Sequence, residues 1–121
     1  MADDQPQYDL EERTFEFALA LRKVVQGHRW NRAQWSDINQ VLRSSGSVAA
    51  NYVEANNAAS KADFKYRIGV SKKEGSETKL WLRLLGSTST TEDAKADLRR
   101  LFKEADELVR IFAKIHSSCG D

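Results

Sequence analysis

The segment AKADLRRLFKEADELVRIFAKI, residues 94–115, decides the fold class of this chain. Its apolar residues recur at alternating steps of three and four, and the seam runs through Ala94, Leu98, Leu101, Ala105, Leu108, Phe112 and Ile115. This spacing places all of them on one side of an α-helix. A seam of three heptads, widened by Phe102 and Val109, predicts an amphipathic helix that packs against other helices.

Three further amphipathic helices precede this segment. Apolar residues recur at helical spacing, and no proline follows Pro6 to interrupt a helix. The predicted helices span residues 9–27, 32–55 and 61–85, and the fourth follows Ser89 and ends near Ser117. The expected buried stripes are Leu10, Thr14, Phe17, Leu21 and Val24 or Val25 in the first helix, and Trp35, Ile38, Leu42, Ser45, Ala49, Tyr52 and Ala55 in the second.

Each helix start is predicted from a capping pattern, in which a short polar side chain is followed three residues later by an acid or an amide. The pairs are Asp9 with Glu12, Asn31 with Gln34, Ser60 with Asp63 and Ser89 with Glu92. Ser36 is an alternative cap for the second helix, although we prefer Asn31. Gly27 and Gly86 are expected to end the first and third helices.

Four amphipathic helices with short connections predict an all-α fold, an up-down-up-down antiparallel four-helix bundle. Residues 9–117 form this domain, between a flexible N-terminal tail of residues 1–8 and a frayed C-terminal tail of residues 118–121. Small residues at positions 44–50 would let a neighbouring helix approach closely, and we expect Gly46, Gly69 and Gly75 to mark such packing points.

Composition excludes several classes of protein. The formal net charge is +1, so no overall field favours nucleic acid or an anionic membrane, although the acidic first 16 residues leave the remainder near +6. Cys119 is the only cysteine, which rules out an intramolecular disulfide and a thiolate zinc cage. No apolar run is long enough to span a bilayer, and the acidic N-terminus is unlike a secretion signal. These features predict a cytoplasmic protein.

Polar residues on helical faces between Arg43 and Trp81 form the first candidate site. Arg43, Asn51 and Glu54 share one face of the second helix, and Glu74, Glu77 and Trp81 share one face of the third. A carboxylate on a core-facing stripe is costly unless it is paired, hydrogen-bonded or bound to metal. We interpret the six residues as a structural polar network, with Arg43, Arg67 and Lys73 as possible partners of the carboxylates.

A metal or catalytic role for these carboxylates is the weaker alternative. A di-metal site in a bundle requires Glu-x-x-His pairs, but Val25 and Ala113 stand three residues before His28 and His116. General acid–base chemistry remains possible, because buried carboxyl groups have raised pKa values. No nucleophile elbow or glycine-rich phosphate loop occurs. The sequence therefore predicts no enzyme activity, catalytic residue, metal or cofactor.

Nucleic-acid binding is the most reasonable activity. The third and fourth helices are rich in basic residues, and phosphate contacts require such residues on one face. The candidate contacts are Lys61, Lys65, Arg67, Lys72, Lys73, Lys79, Arg83, Arg99, Arg100 and Lys103. Acids interrupt the pattern, so a mixed, solvating charged surface is the competing interpretation.

Surplus aromatic residues suggest an oligomer. Phe15 lies off the apolar stripe of the first helix, and Trp30, Trp35 and Trp81 are many for the core of a narrow bundle. Unused apolar faces usually mark an interface. Whether Trp35 and Trp81 belong to the core or to an interface stays open at this point.

Four segments form a recognisable combination: residues 9–18, residues 42–55 with Asn51 and Glu54, residues 60–64, and the pattern Lys73-Glu74-x-x-Glu77-x-x-x-Trp81-Leu82. Together they resemble the bacterial four-helix bundle family of ribosomal RNA intervening-sequence proteins, also called the S23 ribosomal protein family. The resemblance covers residues 9–116. It implies a left-handed up-down-up-down bundle that assembles into a ring, typically a pentamer. It implies no catalytic residues, and a related group of accessory proteins forms similar barrels that bind nucleic acid and a reverse transcriptase.

Overall fold

The computed structural model describes residues 6–120, with side chains from Leu10 onward. It contains four α-helices, α1 (Pro6–Gly27), α2 (Arg32–Asn56), α3 (Lys61–Thr88) and α4 (Glu92–Ser118), and residues 6–120 form no strand. The predicted all-α class and four-helix fold are therefore confirmed. Residues 1–5 of the predicted N-terminal tail and Asp121 of the C-terminal tail lie outside the described residues.

Two of the predicted helix starts are confirmed by their hydrogen bonds. The Oδ1 atom of Asn31 accepts the backbone N–H of Gln34 at 2.9 Å, and the Asn31 N–H donates to Gln34 Oε1 at 3.0 Å. This reciprocal pair is a complete capping box. At the start of α3, Ser60 Oγ accepts the N–H of Asp63 at 3.1 Å.

The other two starts were wrong. The first helix begins at Pro6, because proline suits the first turn, where its missing N–H has no helical partner. The fourth is capped by Thr91, whose Oγ1 accepts the N–H of Ala94 at 3.2 Å. Ser89 instead ends α3 by donating to the carbonyl of Leu85 at 2.8 Å. Its hydroxyl satisfies a last-turn carbonyl, and the helix passes through Gly86 to Thr88.

The helices pack in a closed order. In the described chain α1 contacts α2 and α4, and α3 contacts the same two helices more extensively, whereas the diagonal pairs make no contact. The predicted stripes of α1 and α4 are buried, from Leu10 to Leu21 and from Ala94 to Phe112. Tyr52 and Phe112 meet in the interior with ring centroids 5.9 Å apart. All four helices therefore contribute to one core.

The predicted stripe of α2 was partly wrong. Trp35 is 44% exposed, and Gln34 is buried instead. Val41 and Val48 take the interior positions that the prediction gave to Leu42 and Ala49. The cause is that α2 carries apolar residues on two adjacent faces, so its periodicity does not decide which of them turns inward.

Small residues bring α3 close to its neighbours, as expected. Ser44 and Thr78 form a buried hydroxyl–hydroxyl hydrogen bond of 2.7 Å between α2 and α3, and Ser71 Oγ donates to the carbonyl of Val48 at 3.0 Å. On the α4 side, a Cβ atom placed on Gly75 would lie 2.8 Å from Val109 Cγ2. Such a distance leaves no room for a side chain at position 75.

Candidate nucleic-acid interface

Three acidic residues of α4, Asp97, Glu104 and Glu107, lie on the side that faces α1. Arg13 of α1 donates from Nε to Glu104 Oε2 at 2.7 Å and from Nη2 to Glu104 Oε1 at 2.9 Å, and it also contacts Glu107. The hydrogen bonds that Arg13 donates to Glu104 raise the pKa of its guanidinium above its ordinary value. Nearby, His28 Nε2 lies 2.7 Å from Asp97 Oδ2. These acids therefore stabilise the α1–α4 contact.

Three basic residues of α4, Lys95, Arg99 and Arg110, lie on the side that faces α3. One acid, Asp106, is placed among them, and it pairs with Lys79 of α3 at 2.7 Å and with Arg110 at 3.0 Å. The hydrogen bond from Lys79, and to a smaller extent the one from Arg110, hold the pKa of Asp106 below its ordinary value. This carboxylate neutralises part of the positive charge between the two helices and leaves the remainder unpaired.

An open groove of about 450 Å³ lies between the last turns of α3 and the first turns of α4. We call it the α3–α4 groove, and it is lined by Leu82, Arg83, Gly86, Ser87, Lys95, Leu98, Arg99 and Phe102. Among residues 10–120, the side chains of Arg83, Lys95 and Arg99 have neither a carboxylate nor a hydrogen-bond partner. The groove thus combines three unpaired cations with an apolar floor.

The structure separates the ten predicted phosphate contacts. Arg83 and Arg99 line the groove. Lys72 lies two turns before Lys79 on the same side of α3, and Lys103 lies one turn after Arg99 on α4; both are exposed. These four remain candidates.

The other six predicted contacts do not join this groove. Four of them have other partners. Lys79 pairs with Asp106, as described above, and Lys65 donates to the carbonyl of Gly120. Arg67 donates to Asn51 Oδ1 at 3.0 Å, and Arg100 donates to Asp97 Oδ1 at 2.6 Å. Lys61 lines a separate pocket near the C-terminus, and Lys73 is exposed on the outer side of α3.

Sequence reasoning missed Lys95. Its signal was its position four residues before Arg99, which itself stands four residues before Lys103. Residues four apart are neighbours on a helix surface, so these three cations form a ladder along α4. Only the structure shows that Lys95 and Arg99 face Arg83 across a groove.

Arg43, Glu74 and Glu77 of the predicted network lie at the outer margin of the α2–α3 contact. Arg43 bridges two carboxylates, with Nη1 3.3 Å from Glu74 Oε1 and Nη2 3.2 Å from Glu77 Oε1. Asn51 Oδ1 accepts a hydrogen bond from Arg67, which was a predicted partner of the carboxylates. Because the Arg43 side chain is 52% exposed, these pairs contribute little stability.

Two members of the predicted network do not take part in it. Glu54 is exposed, and no residue between 10 and 120 pairs with its carboxylate, because α2 turns this position past the α3 contact toward solvent. Trp81 packs against the core, but its buried Nε1 has no acceptor in the described chain. Lys73, proposed as a partner of the glutamates, pairs with neither of them.

Two apolar surfaces remain uncovered. The first, the α1–α2 face, consists of Phe15, Trp35 and Val53, and Phe15 is 54% exposed. These residues flank Arg22, which bridges α1 and α2 by donating to Leu42 O at 3.0 Å. The second, the α3 face, consists of Tyr66, Leu80 and Leu84 on the outer side of α3, and Leu80 is 49% exposed. Their positions agree with the expected surplus of apolar surface.

The described residues contain no group of three His, Cys, Asp or Glu side chains placed to hold a metal ion. His28 contacts Asp97, whereas His116 packs over Gly69 at the other end of α3. None of the helices within residues 6–120 is both long enough and apolar enough to cross a membrane.

The fold and the groove define a four-helix bundle with a basic surface between two helices. The family model described as 23S rRNA-intervening sequence protein matches residues 7–114, and the chain belongs to this family. It is similar to the 1.70 Å crystal structure of a protein of unknown function from the S23 ribosomal protein family of Bacteroides thetaiotaomicron VPI-5482. The two chains are 25% identical, with a TM-score of 0.76 over 93% of this chain and 99% of the other. No curated protein matches the chain.

Proposed function

We propose that this protein is a cytoplasmic, non-enzymatic homo-oligomer that binds RNA through the α3–α4 groove. The observation that carries the proposal is the convergence of Arg83, Lys95 and Arg99 on one groove without a carboxylate among residues 10–120. Clustered cations on one face are the electrostatic footprint of a phosphate-binding surface. Asp97, Arg100, Glu104, Asp106 and Arg110 of α4 are all in ion pairs, whereas the cations of the groove are not.

The energetics of α4 support a ligand for these cations. Like charges four residues apart destabilise a helix by roughly 0.2–0.5 kcal/mol for each pair. Lys95, Arg99 and Lys103 form two such pairs, and no acid of the described chain forms an ion pair with any of them. The ladder therefore opposes folding slightly, and a bound polyanion would remove this penalty. We propose RNA as this polyanion because the family description names a ribosomal RNA intervening sequence.

The oligomeric part of the proposal rests on the two apolar faces. Because the closed helix order has no diagonal contacts, it supports an up-down-up-down bundle, in which the α1–α2 face and the α3 face belong to different sides of one subunit. A contact between two different faces repeats from copy to copy and closes into a ring when the rotation permits. We propose a homopentameric ring, as the family resemblance implies.

The RNA-binding proposal is tested with a triple variant, Arg83→Gln, Lys95→Gln and Arg99→Gln. Binding of a fluorescent single-stranded RNA is measured by anisotropy at low salt. The matched control is a second triple variant, Lys23→Gln, Arg29→Gln and Arg32→Gln. It removes the same charge from three exposed positions in α1, α2 and the connection between them. We expect a loss of at least about tenfold in affinity for the groove variant and little change for the control.

The competing function is a structural or protein-interaction module without nucleic-acid binding, and the two uncovered apolar faces favour it. In that case the wild-type protein binds no RNA at low salt while its oligomeric state is intact. Size-exclusion chromatography with light scattering, run on the same samples, distinguishes this result from a sample that has not folded.

A further inference from the structure

We infer that the α3–α4 groove accepts a single strand of RNA rather than a duplex. The inference rests on the proposed RNA binding and concerns the form of RNA that fits. The groove has cations along its rim and the apolar residues Leu82, Leu98 and Phe102 along its floor. A nucleotide has the matching distribution, a charged phosphate beside a flat base with an apolar face.

The apolar floor distinguishes the two forms of RNA. In a duplex, the bases are stacked in the interior and present phosphates and hydroxyl groups to a protein surface. Such a ligand would contact the rim of the groove and not its apolar floor. An unpaired base can descend between the cations and contact the floor.

The width of the groove leads to the same conclusion. Its cations come from both walls, Arg83 from α3 and Lys95 and Arg99 from α4. Packed helices have axes about 8–10 Å apart, so the cations of the two walls converge on one backbone. Along α4, successive cations are separated by four residues, or about 6 Å, so they follow a strand laid parallel to the helix axis.

Gly86 keeps this part of the groove open. A Cβ atom added to Gly86 would meet no atom within 4 Å, although the residue lies within α3 and lines the groove. A larger side chain at this position would occupy the groove while leaving every cation in place. Gly27 offers a matched control, because a Cβ atom added there also meets nothing within 4 Å and the residue lies on the α1–α4 side.

The test compares a single-stranded 12-nucleotide RNA with a blunt duplex of the same sequence, titrated against the intact wild-type protein, Gly86→Leu and Gly27→Leu at the same low salt. We expect the wild-type protein to bind the single strand about tenfold more tightly than the duplex. Gly86→Leu should remove this preference and leave the weaker duplex binding unchanged, and Gly27→Leu should behave as wild type. Circular dichroism melting establishes that both variants are folded.

The outcomes separate the inference from the proposed function. If the wild-type protein binds neither RNA, the proposed function fails. If it binds the duplex as tightly as the single strand, RNA binding stands and the inference is overturned; this comparison requires no variant. If Gly86→Leu is folded and still prefers the single strand, the placement of the strand in the groove is overturned.

Discussion

Arg13 of α1 and Glu104 of α4 form an ion pair with two hydrogen bonds, Nε to Oε2 at 2.7 Å and Nη2 to Oε1 at 2.9 Å. This pair joins α4 to α1, the helix with the least extensive packing in the described bundle. It also engages an acid of α4 on the side away from α3. Glu104 is thus engaged on the α1 side of α4, whereas Lys95 and Arg99 on the α3 side are unpaired in the described chain.

The first prediction concerns this ion pair. Glu104→Gln removes the charge from a two-bond contact whose side chains are about one-third exposed, so we expect a loss of about 0.5–1.5 kcal/mol in the free energy of unfolding. Urea unfolding measures it. Glu54→Gln is the control, because Glu54 is exposed, forms no ion pair with residues 10–120 and lies away from a helix N-terminus. Equal effects of the two substitutions would contradict a stabilising role for the pair.

The second prediction concerns acid pH. His28, followed by Arg100, lowers the pKa of Asp97, and Lys79, followed by Arg110, lowers that of Asp106. The folded protein therefore binds these protons less tightly than the unfolded chain, whose aspartates have a pKa of about 3.9. The stability they contribute is present above that value and is lost as the pH falls below it.

Asp97→Asn and Asp106→Asn should accordingly lower the urea midpoint at about pH 7 and have much less effect at about pH 3. Asp37→Asn is the matched control, because Asp37 forms no ion pair within the described chain. An Asp106→Asn effect of the same size at both pH values would show that the carboxylate charge does not stabilise the fold.

The third prediction compares two glycines of α3. Gly75→Ala should destabilise the protein by about 1 kcal/mol, because overpacking costs about 1–3 kcal/mol and exceeds the helix-propensity gain of about 1 kcal/mol. The new Cβ atom would lie 2.8 Å from Val109 Cγ2. Gly86→Ala meets no atom within 4 Å and should stabilise the protein by about 0.5–1 kcal/mol. Thermal unfolding of both variants measures the difference, and stabilisation by both would contradict the close α3–α4 packing.

The fourth prediction concerns the ring. Phe15→Lys alters only the α1–α2 face, and the pair Leu80→Lys and Leu84→Lys alters only the α3 face. Each variant alone should be monomeric by light scattering. Mixed together they should form a dimer and no ring, because each keeps the face that the other lacks. Two variants that remain separate after mixing would exclude a contact between different faces.

The sequence predicts the parts of the fold that depend on residues close together in the chain. The strict spacing of α4 and the Asn31–Gln34 capping box were read correctly. Trp35 was misplaced because α2 has two adjacent apolar faces, and the choice between them depends on how α1 and α3 pack. Ser89 and Thr91 both have the chemistry of a cap, and only the path of the chain decides which of them serves α4.

The candidate site could be predicted only in part for a related reason. The sequence shows which residues are basic, but whether a cation is available depends on acids from other helices. In the sequence, Lys79 and Arg83 are equally plausible phosphate contacts. In the structure, Asp106 of α4 pairs with Lys79 and not with Arg83. Lys95 was missed because its role arises from Arg83 across the groove, 12 residues away in sequence.

The salt dependence of RNA binding tests the central claim most directly. For single strands, the slope of log K against log salt is about −0.7 for each phosphate that the protein neutralises. Replacing Arg83, Lys95 and Arg99 with Gln should therefore make the slope less steep by about 2, whereas the control triple variant at Lys23, Arg29 and Arg32 should keep the wild-type slope. A groove variant that retains the wild-type slope and affinity would contradict RNA binding in the α3–α4 groove.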